Sequence, residues 1–322
     1  MNLLRPSRLL ASAVIAAVAA TGLGATAQAS STPAQVAGAL PAQTAPGVSH
    51  DRTVSDTPAD WTPGIEDGTV YSITQVGDSM VVGGDFTTVT PSSGSPEMSR
   101  SSVFAFDANN GQINPSFTPV PSGEVRAVEA GPTSGTVYVG GAFSGIDGNG
   151  GKIHLLNVSD GSIVSSFEAP GMNGAVQDMA LIGDRLYVAG VFTKVGGAPF
   201  GGLVALDATS GQRQDFLSVS LTENHNYTGE PGQARAPVGA KAFAVDAAGT
   251  QMSVIGNFRK ADGLDRDQMV MIDLTGTTAE VRNDWRTLGY EATCASRAFD
   301  TYMRDIDFAP DGSYVTVATT GG

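Results

Sequence analysis

Cysteine is almost missing from this chain, whose 322 residues contain one, Cys294. With no second thiol there is no internal disulfide and no vicinal cysteine pair. Cys294 is therefore a buried reduced residue, an intermolecular bridge, or half of a disulfide whose other half lies outside these residues. A nucleophilic thiol with His225 as its base is the boldest reading, and too little pattern surrounds it to favour that reading. Positive charge is scarce as well. Eighteen Lys and Arg face 32 Asp and Glu, a formal net charge of −14. An anionic surface of this kind repels phosphate backbones, which argues against a nucleic-acid partner and favours solubility or cation binding. Long apolar runs are missing beyond the N-terminal region, so no membrane span is expected in the mature chain. There is no catalytic triad pattern, P-loop, HExxH or dinucleotide fingerprint, and no catalytic residue is assigned.

The N-terminal region has the layout of a secretory signal. Arg5 and Arg8 precede an alanine-rich apolar run from Leu9 to about Leu23, followed by Ala27-Gln28-Ala29, a small-x-small cleavage site. Residues 1–29 are expected to be a signal peptide. The two arginines are not adjacent and no cysteine follows the cut, so Sec-type export to the outside of the cell is expected, without a lipid anchor. Of the 18 basic residues, losing Arg5 and Arg8 leaves 16 against 32 acids, a balance of −16. Residues 30–53 are rich in Ala, Pro and Gln, lack alternation, and read as a linker.

Beyond the linker the chain repeats itself. VGGDF ends at Phe86, VGGAF at Phe143, VAGVF at Phe192 and VIGNF at Phe258. A second phrase keeps step: FDANNG ends at Gly111, LNVSDG at Gly161 and LDATSG at Gly211, and an aromatic follows each at Phe117, Phe167 and Phe216. Asp107, Asn157 and Asp207 are spaced 50 residues apart (157−107 and 207−157). A period of that size is expected of propeller blades, each with four short strands and unable to bury its faces without stacked neighbours. In the third repeat the strands are expected at Val176–Ile182, Arg185–Gly190, Leu203–Asp207 and Arg213–Phe216, with a glycine-rich loop between the second and third. First strands are expected to begin also at Val70, Val125, Lys241 and Arg304. The fold class is all-β, a β-propeller of four-stranded blades over residues 54–322, with about 4.5 blades present. The fifth repeat stops where its third strand is due, so the propeller reads as incomplete, by about two blades if the closed form has seven.

Turn chemistry fits this frame. Asp107 and Asp207 are expected to accept bonds from backbone N–H groups while Gly111 and Gly211 turn left-handed. The four phrase-ending phenylalanines are expected in the core, wedged between sheets. The paired glycines Gly83-Gly84 and Gly140-Gly141 would let backbones approach closely.

Two places carry candidate chemistry. The polar stretch Leu217–Pro237 lengthens the phenylalanine interval to 66 (258−192) and contains Glu223, Asn224, His225, Asn226 and Tyr227. Diverse side chains in an insertion on a regular scaffold mark the first-choice binding site. Asp147 and Asn149 place oxygen side chains two apart in a glycine-rich turn, spacing that suits calcium, although no bidentate glutamate follows. Calcium is thus the one cofactor the pattern admits, and none is required. Asp262, Asp265 and Asp267 form a second acidic group, with Arg266 expected to neutralise part of it.

Through the VGGxF phrases, ALDAxxG at Ala205–Gly211, LTENHNYTG at Leu221–Gly229 and RDIDFAPDGSY at Arg304–Tyr314, the sequence resembles the secreted actinobacterial delta-60 repeat proteins over roughly Val70–Gly322. The resemblance implies a propeller-like fold with no established catalytic residues, and a disulfide partner for Cys294 beyond Gly322. Function is then expected to be non-enzymatic: an exported scaffold that binds a glycan, a cell-wall component or a protein. The segment ALDATSGQRQDF is also similar to the docking phrase of quinoprotein dehydrogenases, with Phe117, Phe167 and Phe216 where that family has tryptophan. That similarity implies the alternative, a quinone-dependent enzyme with part of its site outside this chain.

Overall fold

A computed structural model describes residues 59–94, 96–225, 229–233, 235–291 and 301–320. The expected signal peptide, the linker, Asn226, Tyr227 and Cys294 lie outside the described residues. From Asp60 onward the chain forms one compact unit. Its described residues are all β, with many antiparallel sheets and no helix, and therefore none able to cross a membrane.

The strands fall into successive units. The first holds β1 (Val70–Val76), β2 (Ser79–Gly84) and β3 (Val103–Asp107); the second holds β4 (Val125–Ala130), β5 (Thr136–Gly141) and β6 (Ile153–Asn157). The third holds β7 (Val176–Ile182), β8 (Arg185–Gly190), β9 (Leu203–Asp207) and β10 (Arg213–Gln214). The fourth holds β11 (Gly239–Val245), β12 (Gln251–Asn257), β13 (Met269–Asp273) and β14 (Glu280–Val281), and a last hairpin pairs β15 (Met303–Phe308) with β16 (Val315–Thr319). In each unit the strands pair in chain order, and single bridges from Phe106 to Ile113 and from Leu156 to Ile163 stand where the third and fourth units have a fourth strand. The glycine-rich loops between second and third strands contain small hairpins of their own, such as Lys194–Val195 with Ala198–Pro199.

Turn chemistry sets these hairpins. Asp107 Oδ1 accepts from the N–H groups of Asn109 and Asn110 at 2.8 and 3.2 Å, and Asp207 Oδ1 from those of Thr209 and Ser210 at 3.1 and 2.8 Å. Gly111 and Gly211 close the turns at φ 73° and 76°, a region that L side chains avoid.

Each first strand is the edge of its sheet, and the first strands pack against one another in chain order: β1 on β4, β4 on β7, β7 on β11, β11 on β15. An open edge would leave backbone donors without acceptors. Side chains bridge three of the four junctions. Ser72 Oγ accepts from Val128 N at 3.1 Å, Glu129 Oε1 from Leu181 N at 3.1 Å and Asp178 Oδ2 from Phe243 N at 3.0 Å.

The core is shared in the same way. Phe143 lies in a cluster that joins Val81 and Val103 of the first unit to Val137 of the second. Phe192 joins Tyr138 and Leu155 of the second to Val188 of the third, and Phe258 joins Tyr187 and Leu203 of the third to Val254 of the fourth. Phe86 instead packs on Phe104 within its own unit.

The repeated glycine of the VGGxF phrase now has a cause. A Cβ on Gly84, Gly141, Gly190 or Gly256 would come within 2.1–2.3 Å of a backbone carbonyl, that of Thr69, Glu124, Ala175 or Gly239. In three of these cases the carbonyl accepts a bond from the residue just after the glycine: Asp85, Ala142 and Val191. That bond lays the oxygen across the glycine Cα. Gly190→Ala is therefore expected to lower stability by about 2–3 kcal/mol, because a backbone oxygen cannot swing aside. Gly183→Ala, where φ is 62° but nothing lies within 4 Å, is expected to cost about 1 kcal/mol. Urea midpoints of the two variants check the order.

The turn carboxylates also predict an acid limit. The Ser210 N–H holds Asp207 below the usual carboxylate range, and the Thr275 hydroxyl does the same for Asp273. A depressed folded pKa means that the unfolded chain binds protons first as pH falls. Stability should be flat above the unfolded carboxylate range, about pH 4, and fall below it as pH drops through the depressed values. Urea midpoints measured from pH 7 to pH 2.5 test the sign.

Candidate functional site

The insertion grows from a corner that the first four units share. Just before each of their first strands, a short segment pairs with the small hairpin of its unit: Gly64–Ile65 with Val89–Thr90, Pro121 with Ile146, Met172 with Val195, and Leu221–Thr222 with Lys260–Ala261. In the second and third units the chain then passes directly into β4 and β7. In the fourth, residues 223–238 intervene before β11.

The near end of this loop is strapped down. Glu223 takes φ 62°, and its carbonyl and that of Thr222 both accept from Arg259 N, at 2.9 and 3.0 Å. Its carboxylate meets Lys260 Nζ at 2.9 Å in a solvent-facing pair. Such a pair adds little stability because water screens it. Asn224 Nδ2 donates to Ala236 O at 2.8 Å, and Asn257 Nδ2 donates to the same carbonyl at 3.1 Å, so the two ends of the loop are tied to each other and to the end of β12.

His225 lies at the centre and is 1% exposed. Its N–H donates to Asn257 Oδ1 at 2.9 Å, and its Nδ1 lies 2.7 Å from Asp267 Oδ1. An ionised carboxylate has no proton to give, so Nδ1 carries the hydrogen and the ring is oriented by Asp267. Arg259 Nε stands 3.9 Å from the other oxygen of Asp267. The Tyr302 ring packs edge-on against the imidazole at 6.5 Å. His225 Nε2 is buried without a hydrogen-bond partner. A carboxylate-oriented imidazole of this type is equipped to act as a base or a ligand. Here it is enclosed, and its immediate effect is to fix the loop. Beside it Gln268, 1% exposed, donates from Nε2 to Tyr290 O at 2.8 Å and accepts from Thr301 Oγ1 at 2.9 Å.

The pairing with Asp267 was not legible in the sequence, where that residue belongs to an acidic group with Asp262 and Asp265. The structure divides the group. Asp262 Oδ1 accepts from Ser220 N at 2.8 Å, and Asp267 turns to His225. Arg266 donates to the carbonyls of Asp265 and Arg282 at 2.8 and 2.9 Å and forms no salt bridge among the described residues. Its guanidinium serves backbone oxygens rather than the acids beside it.

Asp147 has the same task as Asp262. In the turn between Gly145–Ile146 and Asn149–Gly150, Asp147 at φ 50° accepts from Val120 N through Oδ1 at 3.0 Å, while Asn149 Nδ2 points back to the carbonyls of Ile146 and Asp147 at 3.4 and 3.3 Å. The side chains expected to face a cation are thus engaged with the backbone. Among the described residues no group of three or more His, Cys, Asp or Glu is placed to hold a metal ion. Phe117, Phe167 and Phe216 are buried in the clusters that join successive units, and the Arg185 guanidinium lies 4.0 Å above the Phe216 ring.

His225→Ala should leave Asp267 without its main partner and unlock the loop. A loss of about 2 kcal/mol is expected, with earlier proteolytic cleavage between 229 and 238 than in the parent chain. Thermal melts and timed protease digests check both effects.

No family model matches the chain, and no curated protein does. Among solved structures it is similar to the hydrazine synthase of Kuenenia stuttgartiensis, at 12% identity and a TM-score of 0.44, over 84% of this chain and 58% of that one. It is also similar to the computationally designed Ika4 protein, at 13% identity and a TM-score of 0.36, over 61% of this chain and 91% of that one. The chain thus spans less than two thirds of the hydrazine synthase chain.

Proposed function

We propose that the chain is an exported β-propeller of the delta-60 repeat kind, acting as a non-enzymatic scaffold that binds a glycan, a cell-wall component or a protein. The order of the edge strands supports the blade reading: β1, β4, β7, β11 and β15 each lie beside the next, and each shared core cluster draws on two neighbouring units. Sheets that meet along their first strands, and that must hide their faces against each other, suit blades around an axis.

One observation carries the binding reading. Among the first four units, only the fourth inserts residues 223–238 at a corner that the second and third cross directly, and it holds that insertion on a buried His225–Asp267 pair. Tying the two ends of a loop to a rigid sheet lowers the ordering cost of recognition by the residues between them. Export by the Sec route would place it among surface polymers. Calcium is admitted as a passenger at the surface and is given no step in binding.

The test is a screen of soluble glycans and insoluble cell-wall fractions. It compares the parent protein with a variant in which Leu221–Gly229 is replaced by a short glycine-serine link. Binding by the parent that the variant loses, with an unchanged circular dichroism spectrum, is the expected result. Equal binding by both removes the loop from the site.

A further inference from the structure

Asparagine followed by glycine is a chemically fragile pair. Glycine has no side chain to hinder it, so its backbone nitrogen reaches the asparagine Cγ and displaces ammonia wherever the surrounding fold leaves both groups loose. The chain contains three such pairs, Asn110-Gly111, Asn149-Gly150 and Asn173-Gly174.

Two of them are held shut. Gly111 N donates to Asp107 O at 2.9 Å, Asn110 Oδ1 accepts from Gln112 N at 2.9 Å, and Gly111 is buried against the Trp61 carbonyl. Asn173 Oδ1 accepts from Thr193 N and Lys194 N, both at 2.8 Å, and its Nδ2 donates to Thr193 Oγ1 at 2.8 Å. Gly174 lies so close to the next segment that a Cβ on it would meet Val191 O at 2.5 Å. In either pair, bringing nitrogen onto Cγ means breaking these bonds or moving this backbone first.

The third pair is open. Asn149 and Gly150 are both exposed, on the outer arm of the small hairpin that turns at Asp147 and Gly148. Directly opposed residues of an antiparallel ladder alternate between bonded and unbonded pairs. Gly151 N donates to Ser144 O at 3.0 Å, so the adjoining pair, Gly150 with Gly145, is an unbonded one, and Gly145 O serves Ser122 N instead at 3.0 Å. Gly150 N thus has no acceptor among the described residues. Asn149 Nδ2 lies 3.4 and 3.3 Å from the carbonyls of Ile146 and Asp147, at the weak end of the hydrogen-bond range. A Cβ on Gly150 would meet nothing nearer than Ser144 O at 4.0 Å, which leaves this peptide room to turn.

We propose that Asn149 is a site of spontaneous deamidation, a modification that its hairpin permits and that the folds around Asn110 and Asn173 resist. Gly150 N gives its proton to hydroxide and attacks Asn149 Cγ. The new N–Cγ bond forms, the Cγ–Nδ2 bond breaks, and Nδ2 leaves as ammonia with a proton from water. A second water then opens the cyclic imide. Breaking the N–Cγ bond yields aspartate, whereas breaking the bond to the backbone carbonyl carbon yields isoaspartate, with the chain running through the former side chain. Either product places a carboxylate two residues from Asp147, whose Oδ1 holds Val120 N at 3.0 Å. Isoaspartate also adds a carbon to the backbone just before Gly150, which spoils the reach of Gly151 N to Ser144 O. The corner at Val120 and Ser122 leads directly into β4, so this product loosens the entry to the second unit.

Peptide mapping by mass spectrometry tests the site after the parent protein has aged for days in mildly alkaline buffer. Conversion at Asn149 at least about tenfold faster than at Asn110 or Asn173 is the expected result, since those two must first give up hydrogen bonds. The same chain aged in urea should lose the preference, because the three pairs are then alike. Gly150→Ala, whose methyl group meets no close neighbour, should fold as the parent does and slow conversion at Asn149 at least about tenfold. Conversion in the folded chain that is no faster at Asn149 than at the other two, or that Gly150→Ala leaves unchanged, overturns the site. A preference that persists in urea overturns its structural cause. In the isoaspartate form, separated by ion exchange, faster hydrogen exchange at Gly151 supports the loosened corner, and exchange equal to that of the parent overturns it.

Discussion

Phe143, Phe192 and Phe258 are each buried among residues of two successive sheets, and on that sharing the rest of the structure depends. A sheet of about fifty residues with both faces apolar has no means of hiding both by itself. Its neighbour supplies the missing cover. Once sheets must stack, their first strands come together, and the contact between them decides where glycine is needed, which side chains cap the open edges, and which polar groups are brought into reach of one another.

The glycine of the VxG phrase illustrates the order of causes. A carbonyl at the entry to each of the first three units accepts a bond from the residue after that glycine, so its oxygen lies over the Cα. Any Cβ would collide with it. The edges are closed by a more varied set of residues, Ser72, Glu129 and Asp178, because any acceptor of suitable reach satisfies a strand N–H. Geometry is thus repeated strictly where backbone meets backbone and loosely where a side chain makes the link.

The insertion at residues 223–238 shows how a repeated scaffold can be varied without a change in its sheets. A single connection is lengthened and then anchored, here by His225 and Asp267.

Much of this was legible in the sequence, and the division is a physical one. Strand positions in the third unit, the aspartate-capped turns and the buried phenylalanines depend on alternation and on contacts a few residues apart, which the chain carries locally. The first strands expected at Lys241 and Arg304 begin instead at Gly239 and Met303, since a bulge breaks the alternation that locates a strand end. Asp267 read as one of an acidic group, and only the folding of the loop before β11 onto the connection between β12 and β13 brought it 2.7 Å from His225, 42 residues earlier. By itself the sequence determined the units and their turns, because these close within a few residues. Which polar groups meet was decided by tertiary structure, because it follows from how whole sheets lie against one another.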